Sequence, residues 1–216
     1  MAYLPGKVME LNQLKEQGFN PKNILDIGAH RGQFYGWAKT VWPESSITMI
    51  EANLCHEDIL KSIVDKSPID SYLIATLGDS KRVVDFYTRS DKPWTEGASY
   101  YKELNFWDIP QLVISLPREL QVLDELYPIE TFELIKIDTQ GSELDIIAGG
   151  VDLCQRAKFI VLEISTIPYN EGAPDTESYY SYMDTCNFEP FCCVGEHVSN
   201  GEVIQRDIVF INRNLK

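Results

Sequence analysis

Apolar positions along this chain follow two rhythms that take turns. Short runs in which almost every residue is apolar recur at Asn23–Ala29 (NILDIGA), Ser46–Ala52 (SITMIEA), Ser71–Gly78 (SYLIATLG), Leu134–Ile137 (LIKI) and Lys158–Ile164 (KFIVLEI). Such runs predict five strands buried on both faces. Between them, apolar residues stand three and four apart. They are Phe34, Trp37, Ala38 and Val41; Ile59, Leu60, Ile63 and Val64; and Leu144, Ile147, Ala148 and Val151, with Gly149 and Gly150 near that stripe's end. This spacing lines one face of a helix. Val8, Leu11 and Leu14 predict a first helix ending near Gly18, and Pro43 stands where the next helix must stop. Val83–Arg89 alternates and reads as an added strand. Helices are expected around Arg118–Tyr127 and Thr176–Cys186. FEPFCCVGE and RDIVFINR close the chain as an antiparallel pair. Strand and helix in alternation imply a parallel sheet covered by helices. Residues 90–116 fit neither rhythm and are rich in aromatics: Trp94, Tyr100, Tyr101, Phe106 and Trp107.

No repeat or low-complexity linker interrupts the 216 residues, so one domain over 1–216 is expected. The formal net charge of −14 argues against binding nucleic acid or an anionic membrane through a general basic surface. No run approaches the roughly 20 apolar residues of a membrane helix. The first residues, MAYLPGKVMEL, lack a basic segment followed by an apolar one, so a cytoplasmic location is expected. The five cysteines are odd in number and form no CxxC pair, which points to neither a disulfide framework nor a zinc site.

The first chemical signal is DIGAHRG. A strand carries Asp26, turns through Gly28 and reaches Gly32 as a helix begins. Glycine lets backbone approach a ligand, and a helix N-terminus favours a negative group. Glu51 ends the next strand, where a carboxylate can accept hydrogen bonds from ribose hydroxyls. A dinucleotide site would want GxGxxG at this turn. The looser Asp-x-Gly-x-x-x-Gly spacing fits S-adenosylmethionine, which has no pyrophosphate to cradle. Candidate cofactor contacts are Asp26, Gly28, Ala29, His30 and Gly32 in the turn, then Glu51, Ala52 and Asn53. Leu77 and Asp79, in ATLGDS after the third strand, complete the set.

Four stretches resemble the FkbM-type family of S-adenosylmethionine-dependent O-methyltransferases: GFNPKNILDIGAHRGQF, ITMIEAN, FELIKIDTQGSELDIIAGG and FIVLEIS. They come in the family's order and span residues 18 to 165. KID-x-x-G-x-E is the most family-specific part, and Gln140 stands where the family often has Glu. The resemblance implies a class I methyltransferase fold: α/β, Rossmann-like and doubly wound. Its sheet has seven strands, mostly parallel, with a terminal antiparallel hairpin. It also implies transfer of a methyl group to a hydroxyl of a small acceptor, a sugar or a polyketide-type product. Residues 90–116 and 166–200 match no motif and are expected to select the acceptor.

Lys136, Asp138 and Glu163 raise a physical question, because lysine in a central parallel strand needs a partner. Lys136 and Asp138 share parity and leave the strand on one side. In the family's strand order Asp138 and Glu163 end neighbouring strands, at the edge where ligands bind. Asp138 is therefore the first candidate base for removing the acceptor's proton. Asp138 or Glu163 is the expected partner of Lys136, and Glu163 is otherwise expected to share a Mg2+ ion with Asp138, since carboxylates suit that ion. His30, inside the glycine turn, is the second candidate base. Glu143 is expected either to favour the helix dipole from the first turn or to join the chemistry. Tyr169, Tyr179, Tyr180 and Tyr182 are placed on the cleft side, where aromatics stack on sugars or pack on the helix. Two other readings remain: a nicotinamide-dependent oxidoreductase on a related sheet, against which the glycine spacing speaks, and a non-catalytic cofactor-binding protein. The oligomeric state is left open.

Overall fold

The structure is a computed structural model that describes residues 11–104 and 110–215. Val8, Phe106 and Trp107 lie outside the described residues. A seven-stranded sheet forms the centre, in the order β3-β2-β1-β7-β8-β10-β9. Its strands are β1 (Asn23–Ile27), β2 (Ser46–Glu51), β3 (Ser71–Ile74), β7 (Leu134–Ile137), β8 (Phe159–Ser165), β9 (Phe188–Ser199) and β10 (Glu202–Asn212). The first five are parallel, and β10 runs antiparallel between β8 and β9. This is the expected α/β architecture with its terminal hairpin. From β1 the chain steps to β2 on one side and returns to β7 on the other. The switch point lies between β1 and β7, where open α/β sheets bind ligands.

Period-two alternation separates two cores. Leu25, Ile27, Ile135, Ile137, Ile160 and Leu162 face α5 (Glu143–Ala148), α6 (Val151–Gln155) and α7 (Thr176–Thr185). Ile24, Leu134, Phe159, Val161 and Val209 face α1 (Leu11–Glu16), α2 (Gln33–Val41) and α3 (Glu57–Val64). On that second face the same parity continues upward as Asp26, Lys136, Glu163 and Asp207, because Asp26 pairs Lys136 and Glu163 pairs Asp207. The apolar rows thus end in a charged layer at the carboxyl edge of the sheet.

Three elements differ from expectation. The third apolar run breaks at Ala75, and β4 (Thr76–Leu77) leaves the main sheet to pair with β6 (Val113–Gln121). The added strand β5 (Val83–Arg89) completes this separate three-stranded sheet, β4-β6-β5. Residues 118–121, expected to begin a helix, belong to β6, and the helix α4 is only Leu123–Leu126. Pro117 disguises this strand, since proline is excluded from doubly paired strands. Here β4 reaches β6 only at Leu120 and Gln121, so the segment with Pro117 pairs on one side. Finally, the expected helix through Val151 is split into α5 and α6 at Gly149 and Gly150. A side chain at Gly149 would meet the Gly78 carbonyl. Among the described residues no helix is long and apolar enough to cross a membrane.

Candidate active site

After β1 the chain turns sharply. Gly28 has φ +78°, and its N–H and that of Ala29 both donate to the Ile50 carbonyl. A Cβ on Gly28 would stand 1.7 Å from the Asp138 carbonyl oxygen, so the turn and the end of β7 touch through bare backbone. His30 (φ 49°) and Gly32 (φ 81°) complete the turn, and Gly32 caps α2. Glu51 fastens this loop to the next: Oε2 accepts the His30 N–H at 2.7 Å and Oε1 the Asn53 N–H at 2.7 Å. Burial raises the Glu51 pKa, opposed by those two N–H groups. Gly28→Ala is expected to cost at least ~2 kcal/mol, because a left-handed φ alone costs about 1–2 kcal/mol before the clash is relieved. Urea unfolding checks this, and an unchanged midpoint would show that the turn is not tight.

A cavity of about 410 Å³ opens above the switch point, within the range of small-ligand sites. Gly28, Ala29, His30, Glu51, Ala52 and Leu77 line it, as do Lys136, Asp138 and Glu163. Asp26, Gly32, Asn53 and Asp79 do not. Asp26 is buried and its carboxylate has no hydrogen-bond donor among the described residues. The Asn53 carboxamide donates to the Pro93 carbonyl, and Asp79 pairs with Arg82 at the surface. The region from residue 90 contributes Thr95–Tyr100 to the wall, and the later unmatched region contributes Tyr169 and His197. Of the other tyrosines, Tyr179 is buried and donates to Glu143, while Tyr180 and Tyr182 pack against the core. Glu143 is itself buried and gathers the N–H groups of Thr139 and Gly141, so it braces the loop after β7.

The charged end of the cavity is a connected network. Lys136 Nζ lies 2.7 Å from Asp138 Oδ2 and 5.6 Å from the centre of the Phe34 ring. Gln140, at φ +59°, donates to Asp138 Oδ1 at 3.2 Å and to Glu163 Oε2 at 2.5 Å. Gln205 donates to the same Glu163 oxygen at 2.8 Å. Burial works against the charge on Lys136, but Asp138, Asp26 and Asp207 outweigh it and raise its pKa. Burial likewise opposes ionisation of Asp138, but the Lys136 charge and the surrounding donors hold its pKa below the ordinary value. Glu163 is pushed well up by burial and then by Asp138. Burial lifts Asp26 to about 7 and Asp207 to about 6, in both cases against the pull of Lys136.

Of the two partners expected for Lys136, Asp138 and Glu163, the ion pair forms with Asp138. The expected Mg2+ ion does not fit Asp138 and Glu163. An ammonium and two carboxamides occupy the faces their carboxylates would turn to a cation. Among the described residues no group of three or more His, Cys, Asp or Glu side chains is arranged to hold a metal ion. His30 reaches the cavity and its Nε2 lies 3.1 Å from the Trp94 carbonyl. Its ring stacks edge-on against His56, which is buried with no hydrogen-bond partner among the described residues. Burial lowers the His56 pKa to about 4. Gln205 and Asp207 were not singled out from the sequence. A charged residue at inward parity in RDIVFINR was the available signal, but the β8–β10 register that places it opposite Glu163 is not written in the chain.

Residues 26–190 match the family model of the methyltransferase FkbM domain. The chain therefore belongs to the FkbM methyltransferase family. Solved structures with this fold include the magnesium protoporphyrin IX methyltransferase ChlM of Synechocystis PCC 6803 with bound S-adenosylmethionine. It is 7% identical, with a TM-score of 0.53 over 92% of this chain and 74% of that one. The N-terminal domain of EvdMO1 with bound S-adenosylhomocysteine is 12% identical, with a TM-score of 0.53 over 94% of this chain and 80% of that one. WbdD, a bifunctional kinase-methyltransferase, is 12% identical with a TM-score of 0.50. The match covers 93% of this chain but only 37% of WbdD. Comparison with curated protein sequences finds no match. Fold and family together define an S-adenosylmethionine-dependent methyltransferase.

Proposed function

We propose that this protein transfers the methyl group of S-adenosylmethionine to a hydroxyl of a small acceptor, a sugar or glycan. One observation carries the reading: an ionised carboxylate, Asp138, stands in the cavity wall against the glycine turn, secured by a buried ammonium. The cofactor fits that turn, where a bare Gly28 backbone leaves no room for a side chain and Glu51 faces the same cavity. When bound, it supplies an electrophilic methyl group on a sulfonium.

The chain's own residues do the rest. Gly28, Ala29 and His30 shape the seat, and Glu51, whose oxygens each keep a free lone pair, accepts from the ribose hydroxyls. A neutral hydroxyl is a poor nucleophile. Asp138 would take the proton of that hydroxyl on its carboxylate, and the bound cofactor would supply the methyl group that replaces it. Lys136 keeps Asp138 ionised and ready. Thr95–Tyr100 and Tyr169 wall the acceptor side.

Glu51→Gln is expected to weaken S-adenosylhomocysteine binding by about 10- to 100-fold, since hydrogen bonds to a charged group contribute roughly 1.5–3 kcal/mol. Calorimetry measures it, and unchanged affinity would place the ribose elsewhere. The function itself is tested by a screen of sugars and glycans for acceptor-dependent release of S-adenosylhomocysteine. Turnover with hydroxylated acceptors is expected. Turnover only with acceptors lacking a hydroxyl would overturn the reading.

A further inference from the structure

The carboxylates around the cavity outnumber the cations, and the excess lies on the acceptor side. Glu51 belongs to the cofactor seat on β2. Asp138 has Lys136 as its partner. Beyond them, on β8 and β10, stand Glu163 and Asp207, paired directly across the two strands. Glu163 receives neutral carboxamide donors from Gln140 and Gln205 and shares a side-chain hydrogen bond with Asp138, but it has no cation of its own. The Asp207 carboxylate has no hydrogen bond or ion pair among the described residues, while its backbone is held in the sheet. The neighbouring Arg206 cannot serve it, because Arg206 has opposite parity and is bonded to Glu196 at 3.0 Å.

The backbone makes room for this arrangement. Gly195 on β9 faces Asp207, and a Cβ there would stand 2.2 Å from Asp207 Oδ2. Any other residue would push the carboxylate from its place in the cavity wall. His197 lines the same end of the cavity. Behind the cavity wall, on the strand beside Lys136, stands a further carboxyl. Asp26 is fully buried beside Lys136, and neither of its oxygens has a donor among the described residues. A single ammonium therefore faces Asp26, Asp138 and Asp207 together.

We propose that Glu163 and Asp207 seat a protonated amine of the acceptor, so that the substrate class is an amino sugar methylated on oxygen. This rests on the O-methyltransferase reading above and names its acceptor. A protonated amine has no lone pair, so it takes no methyl group and serves as an anchor. Its N–H groups would donate first to Asp207 and then to Glu163, leaving a ring hydroxyl for Asp138. The raised proton affinities of Glu163 and Asp207 agree, since both groups sit where added positive charge is stabilising. Charge-assisted hydrogen bonds of this kind are worth about 10- to 100-fold in affinity each.

The test uses the whole chain saturated with S-adenosylhomocysteine. Glucosamine, galactosamine and mannosamine are titrated by calorimetry against the corresponding neutral hexoses and N-acetylhexosamines. The amines are expected to bind at least about tenfold tighter. Asp207→Asn should erase the preference and Glu163→Gln should weaken it, each with S-adenosylhomocysteine affinity retained as the sign of an intact fold. Equal or tighter binding of the neutral sugars, no binding by any amine, or a preference that survives Asp207→Asn would each overturn the proposal. Methyl transfer to neutral hexoses without amine preference would remove this inference and leave the O-methyltransferase reading standing. Amine binding with the methyl group delivered to nitrogen would overturn the O-methyltransferase reading and, with it, the methylation on oxygen proposed here, leaving only the amine seat.

Discussion

Asp138→Asn is expected to lower kcat by about 10²–10⁴-fold, the usual contribution of a positioned base, with S-adenosylhomocysteine binding little changed. The substitution keeps shape and removes charge. The single carboxamide oxygen of asparagine can still accept from Lys136, while its amide nitrogen then faces Gln140 and that one bond is lost. Asparagine cannot take a proton from a hydroxyl. The Asp138 carbonyl, against which Gly28 packs, is unaffected because it belongs to the backbone. Steady-state kinetics with a turned-over acceptor read the effect. A variant with near-full kcat would remove Asp138 from the chemistry and make His30 the base to examine. His30 lines the same cavity.

Lys136→Met should be the most destabilising change in the charged layer, costing about 3–5 kcal/mol at neutral pH and above. Methionine fills similar volume against Phe34 but leaves the buried Asp26 and the half-buried Asp138 without a cation. The pH dependence gives the effect its signature. Asp26 already has a folded-state pKa raised to about 7. Its contribution to stability is present below the ordinary carboxylate value and is lost as pH rises through 7. Asp138 is held below its ordinary value by Lys136, so its contribution is present above that value and lost under more acid conditions. Removing the ammonium raises both carboxyls. The loss should therefore be largest near about pH 8 and shrink toward about pH 5, as the carboxyls take up protons. Urea unfolding of both proteins across that range measures it. An equal loss at every pH would mean that Lys136 acts by packing alone.

Much of this architecture is legible along the chain because its signals are local. Continuous apolar runs can only be strands covered on both faces, and the stripes at Phe34–Val41 and Ile59–Val64 can only be helices laid on them. Lys136 is legible for a similar reason: an ammonium in such a run demands a carboxylate, and Asp138 stands two residues away on the same side. What stayed hidden depends on long-range pairing. The strand at Val113–Gln121 contains Pro117 and forms only because β5 pairs with one of its edges. Asp207 stands at the cavity only because the antiparallel β8–β10 register sets it across from Glu163 and the β9–β10 hairpin sets it beside Gly195. Gln140 looks like a substitution of a familiar carboxylate. In the fold its amide binds two carboxylates at once, and that removes the room a metal ion would need.

The measurement that bears most directly on the central claim is the identity of the bond formed. The enzyme would be supplied with methyl-labelled S-adenosylmethionine and an acceptor that it turns over, and the product examined by nuclear magnetic resonance. The account predicts the label as a methyl ether on an acceptor oxygen, formed by the wild type and strongly reduced in Asp138→Asn. Label on nitrogen or carbon, or a methyl ether formed equally fast without the Asp138 carboxylate, would contradict it.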